Sequence, residues 1–221
     1  MNRIIAVASQ ARNGKDTMAD YIAIKLDGYK RESLAGNVKR IFCETFGVDK
    51  EFIENWKTKT DIPDGYKKNI RKSLQFIGDG FREIRDDVWI NLLFNKINHN
   101  CIVSDVRYIS EANYVNRNNG VIVLVYRNGF DNNDTNLSEA EIKPLVDFMK
   151  KTKQEGCVRD ILLENQRNMS YFKKLLFKFG FGHPPKALEN FDLFILNDGT
   201  IEDYYKKIDD IVLPYINEKF S

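Results

Sequence analysis

The chain has 221 residues, 43% hydrophobic and 30% charged, and its 34 basic and 32 acidic side chains leave a formal charge of +2. That composition describes a soluble globular protein with enough chain to bury a core, and it argues against disorder and against general polynucleotide binding. Three scattered cysteines (Cys43, Cys101, Cys157) without metal-type spacing fit a reducing, cytoplasmic setting, and two histidines, His99 and His183, nearly exclude His-centred catalysis.

The elements follow in order. Ile4–Ala8 is an apolar run that reads as a buried strand. Thr17–Leu26 has apolar residues at helical spacing, and Tyr29–Leu34 is a short second strand. Val38–Phe46 is a helix ended by Gly47, and Asp49–Gly65 is a mixed stretch closing in the turn Pro63-Asp64-Gly65. Helices are expected at Ile70–Phe81 and Val88–Ile97, then a strand at Cys101–Asp105, a helix at Glu111–Asn118 and a strand at Val121–Tyr126. Asn128–Asn190 is a large, Lys-rich helical excursion that closes in Gly180-Phe181-Gly182-His183-Pro184-Pro185. Phe191–Leu196 returns to strand, Asn197-Asp198-Gly199 turns, and Ile201–Ile216 is an amphipathic helix. Strands alternating with helices predict an α/β fold with a parallel sheet covered on both faces. No apolar run reaches membrane-spanning length, and Met1 leads straight into the first strand, so neither a membrane span nor a signal peptide is expected.

Ser9-Gln10-Ala11-Arg12-Asn13-Gly14-Lys15-Asp16-Thr17 lies between the first strand and the first helix. The spacing approximates the phosphate-loop pattern G-x-x-x-x-G-K-[ST], with Ser9 at the first Gly and Asp16 at the hydroxyl position. Backbone N–H groups from Asn13 to Asp16 would form an anion nest, Lys15 would reach the outer phosphates of ATP, and Thr17 an inner one, with Arg12 adding positive charge. Asp16 is a hard oxygen donor suited to Mg²⁺. The plain alternative is an ordinary strand–turn–helix with a chance Lys.

Asp105 ends a central strand on the edge where such sheets bind ligands, so it is a candidate second magnesium carboxylate, and Arg107 a phosphate contact. A helix-capping Asp beside a solvated Arg is the alternative. Arg71 and Gln75, four apart and hence on one helix face, precede Arg82 and Arg85; Arg forks suit phosphate and a Gln can read a base edge, although a solvated face is equally compatible. Lys39 follows the small residues Ala35 and Gly36 and could meet a phosphate. Arg127 ends the strand before the excursion, while Arg159 and Arg167 inside it read as surface charges.

In this order the motifs resemble the phage-type deoxynucleoside monophosphate kinases, a branch of the P-loop kinases. The carrying residues are Gly14-Lys15-Asp16-Thr17 with Ala19-Asp20, Leu34-Ala35-Gly36 with Lys39, and Leu74-Gln75 with Gly78 and Trp89. Asp105-Val106-Arg107 with Glu111, Ser138-Glu139 and Asn197-Asp198-Gly199-Thr200 complete them. Asn136 stands where the family often has a His, and Ala140–Asn190 is longer than the pattern implies. The resemblance implies a three-layer P-loop kinase fold in residues 1–221: a mostly parallel five-stranded sheet, a substrate-binding helical region over 35–98, and an enlarged helical lid over 128–190. It implies transfer of the γ-phosphoryl group of ATP to a (deoxy)nucleoside 5′-monophosphate, with Mg²⁺. Lys15, Asp105, Arg107 and Arg82 would then be catalytic. Arg12 to Thr17, Asn197 and Gly199 would hold ATP, and Asp16 and Asp105 the magnesium. Lys39, Arg71, Gln75, Arg85, Arg107 and Arg127 would hold the acceptor. The expected partners are these two nucleotides, without membrane or stable nucleic acid, and a homodimer is compatible. Kinases of another phosphorylated small molecule, such as phosphomevalonate or dephospho-coenzyme A, and a non-catalytic nucleotide-binding protein are the alternatives.

Overall fold

Strand β1 (Ile4–Ala8) is wholly buried, as its unbroken apolar run predicts, and it sits inside a six-stranded sheet. The computed structural model describes residues 2–128, 141–167 and 185–221. With β2 (Tyr29–Glu32), β3 (Asn100–Val106), β4 (Val121–Tyr126), β5 (Gly156–Cys157) and β6 (Leu193–Leu196), the spatial order is β2-β3-β1-β4-β6-β5. β1 pairs in parallel with β3 and β4, and β4 in parallel with β6. Among the described residues the expected count of five strands is therefore corrected to six. The additional one is β5, a two-residue segment that pairs antiparallel with the edge of β6. Two residues carry no periodicity, so nothing in the sequence marks it as a strand.

Odd-numbered residues of β1 and β4 (Ile5, Val7, Val121, Val123, Val125) join one core with Met18, Ala19 and Ile22 of α1 (Lys15–Lys25). Tyr204 of α9 (Ile201–Lys207) and Ile216 of α10 (Leu213–Phe220) complete that side. Between α9 and α10 the turn Ile208–Val212 widens into a π-helical segment, consistent with the missing N–H of Pro214 one turn on. On the opposite face lie α6 (Ile109–Arg117) and α7 (Lys143–Thr152), both packed on β4, with Ala112, Val115, Leu145 and Met149 buried. Helix α8 (Val158–Arg167) follows β5.

The described residues divide into two units, the first made of Met1–Arg31 with His99–Ser221, the second of Glu32–Asn98. The second holds α2 (Leu34–Phe46), α3 (Lys50–Trp56), α4 (Ile70–Ile84) and α5 (Val88–Phe94). Ser33 caps α2 by accepting from the Gly36 N–H, so that helix begins four residues before the periodicity alone predicts. Helix α3, capped by Asp49, lies in the stretch read as mixed. Phe42, Ile53 and Ile70 form the buried centre of this unit, and the Trp89 indole N–H donates to the Gly78 carbonyl at 2.9 Å.

Candidate active site

β1 lies between β3 and β4, so its carboxyl end is where the connections leave in opposite directions and where α/β sheets form a crevice. The loop from Ser9 to Gly14 starts there. Arg12 (φ 64°) and Gly14 (φ 99°) both take left-handed backbone. Gly14 is the N-cap of α1 and supplies no side-chain cap, so the positive end of an 11-residue helix faces the loop without a side-chain acceptor at its N-cap.

The loop is braced from below. Asn197, just past β6, donates its Nδ2–H to the Asn13 carbonyl at 3.0 Å, and the buried Tyr204 donates its hydroxyl to the Gly14 carbonyl at 3.1 Å. A Cβ at position 14 would lie 2.4 Å from Asn197 Nδ2 and 3.3 Å from Tyr204 Cε1, so glycine is required by packing as well as by φ. Burial pushes the Tyr204 hydroxyl pKa up, which keeps it a neutral donor. Asn13 is fully buried, and both polar atoms of its side chain are without a hydrogen-bond partner among the described residues.

Asp16 gathers the charged groups. Its Oδ2 accepts from Lys15 Nζ at 2.5 Å, and its Oδ1 accepts from Arg31 Nη2 and from Ser104 Oγ, both at 2.9 Å. Arg31 also donates to Ser104 Oγ at 2.7 Å and, through Nη1, to Asp20 at 2.5 Å. Burial raises the Asp16 pKa, but the Lys15, Ser104 and Arg31 hydrogen bonds outweigh it and hold the carboxyl below its ordinary value.

Ser104 and Asp105 occupy a bulge. Ala6 pairs with Val103 and Ala8 with Val106, so β3 carries an extra residue at the carboxyl end of the sheet, where bulges re-aim side chains. Beyond it, the buried Glu111 accepts from the backbone N–H of Arg107 at 2.9 Å and of Tyr108 at 3.2 Å, and Glu141 accepts from that of Ile109 at 2.7 Å. The start of α6 is thus held by two carboxylates, and Arg107 is placed on the same edge as the loop.

No protein-family model matches the chain. A curated relative from Acanthamoeba polyphaga mimivirus, described as "Putative deoxynucleotide monophosphate kinase", is 27% identical over 188 residues, 76% of this chain and 91% of that protein. Among solved structures, a dephospho-CoA kinase from Campylobacter jejuni aligns over 99% of both chains at 15% identity with a TM-score of 0.44. The resemblance read from the motifs is borne out.

The first unit brings together Arg12, Asn13, Gly14, Lys15, Asp16, Thr17, Asp105, Arg107, Arg127, Asn197 and Gly199 at the carboxyl ends of β1, β3, β4 and β6. Gly199 is needed by the capping box of α9, since a Cβ there would sit 2.7 Å from Asp203 Oδ2. Asn197, Asp198, Gly199, Tyr204 and Lys206 line a cavity of about 490 Å³ beside the braced loop. Lys39, Arg71, Gln75, Arg82 and Arg85 belong to the second unit. There Lys39 pairs with Glu54 at 2.7 Å, Arg82 with Asp79 at 3.6 Å and Arg85 with Asp87 at 2.5 Å, while Arg71 and Gln75 lie four apart on α4. Asn136, Ser138, Glu139 and the 180–184 turn lie outside the described residues.

Two residues of the first unit are missing from the sequence reading. Arg31 and Tyr204 carry no local motif, and Ser104 lies in the expected strand Cys101–Asp105 without a role of its own. Their partners are distant in the chain: Arg31 is 73 residues from Ser104, and Tyr204 is 190 from Gly14. The one local signal is the pair Asp16 and Asp20, two like charges on one helix face that call for a cation.

Proposed function

We propose that this chain is a kinase that transfers the γ-phosphoryl group of ATP to a (deoxy)nucleoside 5′-monophosphate. The observation that carries the reading is the strand–loop–helix at Ala8–Lys15. It combines a helix N-terminus without a side-chain cap, a loop braced by Asn197 and Tyr204, and Lys15 and Asp16 at its mouth. The likeness to a viral protein described as a deoxynucleotide monophosphate kinase supports the acceptor class.

The acceptor oxygen of a monophosphate is already anionic, so catalysis needs no strong base. It rests on in-line placement and on neutralising the charge of the transferring group. The N–H groups from Asn13 to Asp16 and the Lys15 ammonium would hold the donor phosphates. Lys15 then exchanges its Asp16 contact for phosphate oxygens, and Thr17 and Arg12 add an inner donor and an outer positive charge. The cavity beside Asn197 and Gly199 would receive the donor base. Arg107 and Arg127 are the proposed acceptor contacts of the first unit, and within the second unit Lys39, Arg71, Gln75, Arg82 and Arg85 are candidates for binding an acceptor.

The donor set fits magnesium. The Asp16 carboxylate is 60% exposed and beside the Ser104 hydroxyl, and Asp105 shares the same bulge. No cluster of three or more potential metal-ligating side chains occurs among the described residues. Mg²⁺ in phosphoryl-transfer sites is commonly held by one or two carboxylates together with substrate phosphates and water. Asp16 and Asp105 would be those carboxylates and would hold the ion, whose charge would help neutralise the transferring phosphoryl group.

A Lys15→Ala variant tests the reading. Turnover should fall by about 10² to 10³-fold with the fold retained, the scale of losing one charged transition-state donor. Undiminished turnover in that variant would sink it.

A further inference from the structure

Asp16 puts a negative charge where the phosphate-loop pattern has a neutral hydroxyl. A carboxylate at that position repels the polyanion the loop is built to hold. Asp20, one helical turn on, adds a second charge on the same face. The structure supplies the compensation from outside the motif. Arg31, reaching over from β2, gives one guanidinium nitrogen to Asp20 and the other to both Asp16 and Ser104.

The two oxygens of Asp16 are divided between these partners. Oδ1 is held by Arg31 and Ser104, and Ser104 is itself fixed because it accepts from Arg31 while donating to Asp16. Oδ2 accepts from Lys15. Lys15 is the cation with work elsewhere, since it must turn to the phosphates. When it leaves, Oδ2 is released while Oδ1 stays tied. At 33% side-chain exposure Arg31 lies at the rim of this cluster, not in the core.

We propose that Arg31 is the positioning residue that makes an Asp usable in this phosphate loop. It neutralises Asp16 through Oδ1 and leaves Oδ2 as the one oxygen offered to a magnesium–nucleotide complex. The proposal rests on the phosphate-loop reading above. Its consequence is a dependence: Arg31 matters to nucleotide binding because Asp16 is there, and becomes dispensable once position 16 carries a hydroxyl.

A double-mutant cycle read by binding, not turnover, tests this. Titration calorimetry with the non-hydrolysable Mg²⁺–AMPPNP would compare wild type, Arg31→Met, Asp16→Thr and the double variant, with circular-dichroism melts to confirm folding. Arg31→Met should weaken binding by about 5- to 10-fold when Asp16 is present, and by less than about twofold in the Asp16→Thr background. Arg31→Lys, which keeps the charge, should recover most of the loss. Equal weakening in both backgrounds would overturn the proposal, as would a wild-type-like Arg31→Met or an Arg31→Lys as weak as Arg31→Met. If Arg31→Met does not fold, Arg31→Gln takes its place in the same cycle. Failure of the wild type to bind Mg²⁺–AMPPNP would be a different result, removing the phosphate-loop reading itself.

Discussion

Replacing Gly14 by Ala tests whether the loop is braced as described. Two costs add. The left-handed φ of 99° is disfavoured for any residue with a Cβ, at roughly 1–2 kcal/mol. The new Cβ would also lie 2.4 Å from Asn197 Nδ2. The amide can swing away only by giving up its bond to the Asn13 carbonyl, worth about 1 kcal/mol. Tyr204 offers no relief, because its hydroxyl is already fixed on the Gly14 carbonyl. The sum is about 2–3 kcal/mol. Gly28 is the internal control: it has a φ of 79°, and a Cβ added there would meet no atom within 4 Å, so Gly28→Ala carries the backbone cost alone. Thermal melts should therefore place Gly14→Ala about 2–4 °C below Gly28→Ala. A nucleotide titration should show about a tenfold weakening in the former, corresponding to some 1.4 kcal/mol of lost binding, and none in the latter. Equal melting temperatures, or unchanged nucleotide affinity in Gly14→Ala, would refute the bracing argument.

Two further outcomes follow from the same contacts. Glu111→Ala removes the acceptor shared by the Arg107 and Tyr108 N–H groups, so it should cost about 1–2 kcal/mol by denaturant titration and lower turnover, while Glu111→Gln, which keeps an acceptor, should do less of both. Asp16 has a folded-state pKa below its ordinary 3.8, so its contribution to stability is present above that value and lost as pH falls through the lower folded one. Urea titrations from pH 6 downward should show a shallower acid limb for Asp16→Asn than for wild type, and superimposable limbs would contradict the Asp16 network.

How much of this was legible in the sequence depended on the range of the interactions. β1 and β4 were readable because a strand buried on both faces is an unbroken apolar run. The loop was readable because Gly14-Lys15-Asp16 is a local pattern, and Asp105-Val106-Arg107 because it follows the short apolar run Cys101–Val103. Arg31 was not, since a charged residue in an edge strand looks the same whether it faces water or Asp16. Tyr204 looked like any aromatic residue of an amphipathic helix. The bulge at Ser104 is a difference of register between β3 and β1, which no single segment encodes. β5 escaped because pairing with β6, not its own composition, makes it a strand. The reading of Asn197 changed in kind: expected beside the donor nucleotide, it also holds the loop that would bind the phosphates.

The proposed phosphoryl transfer from ATP to a nucleoside monophosphate is tested by a coupled ADP-release assay on the purified chain with Mg²⁺–ATP, across the common and modified deoxynucleoside monophosphates. ADP release should depend on at least one of these acceptors, with the matching diphosphate formed in equal amount. Binding of Mg²⁺–ATP with no acceptor-dependent ADP release from any member of the panel would contradict it.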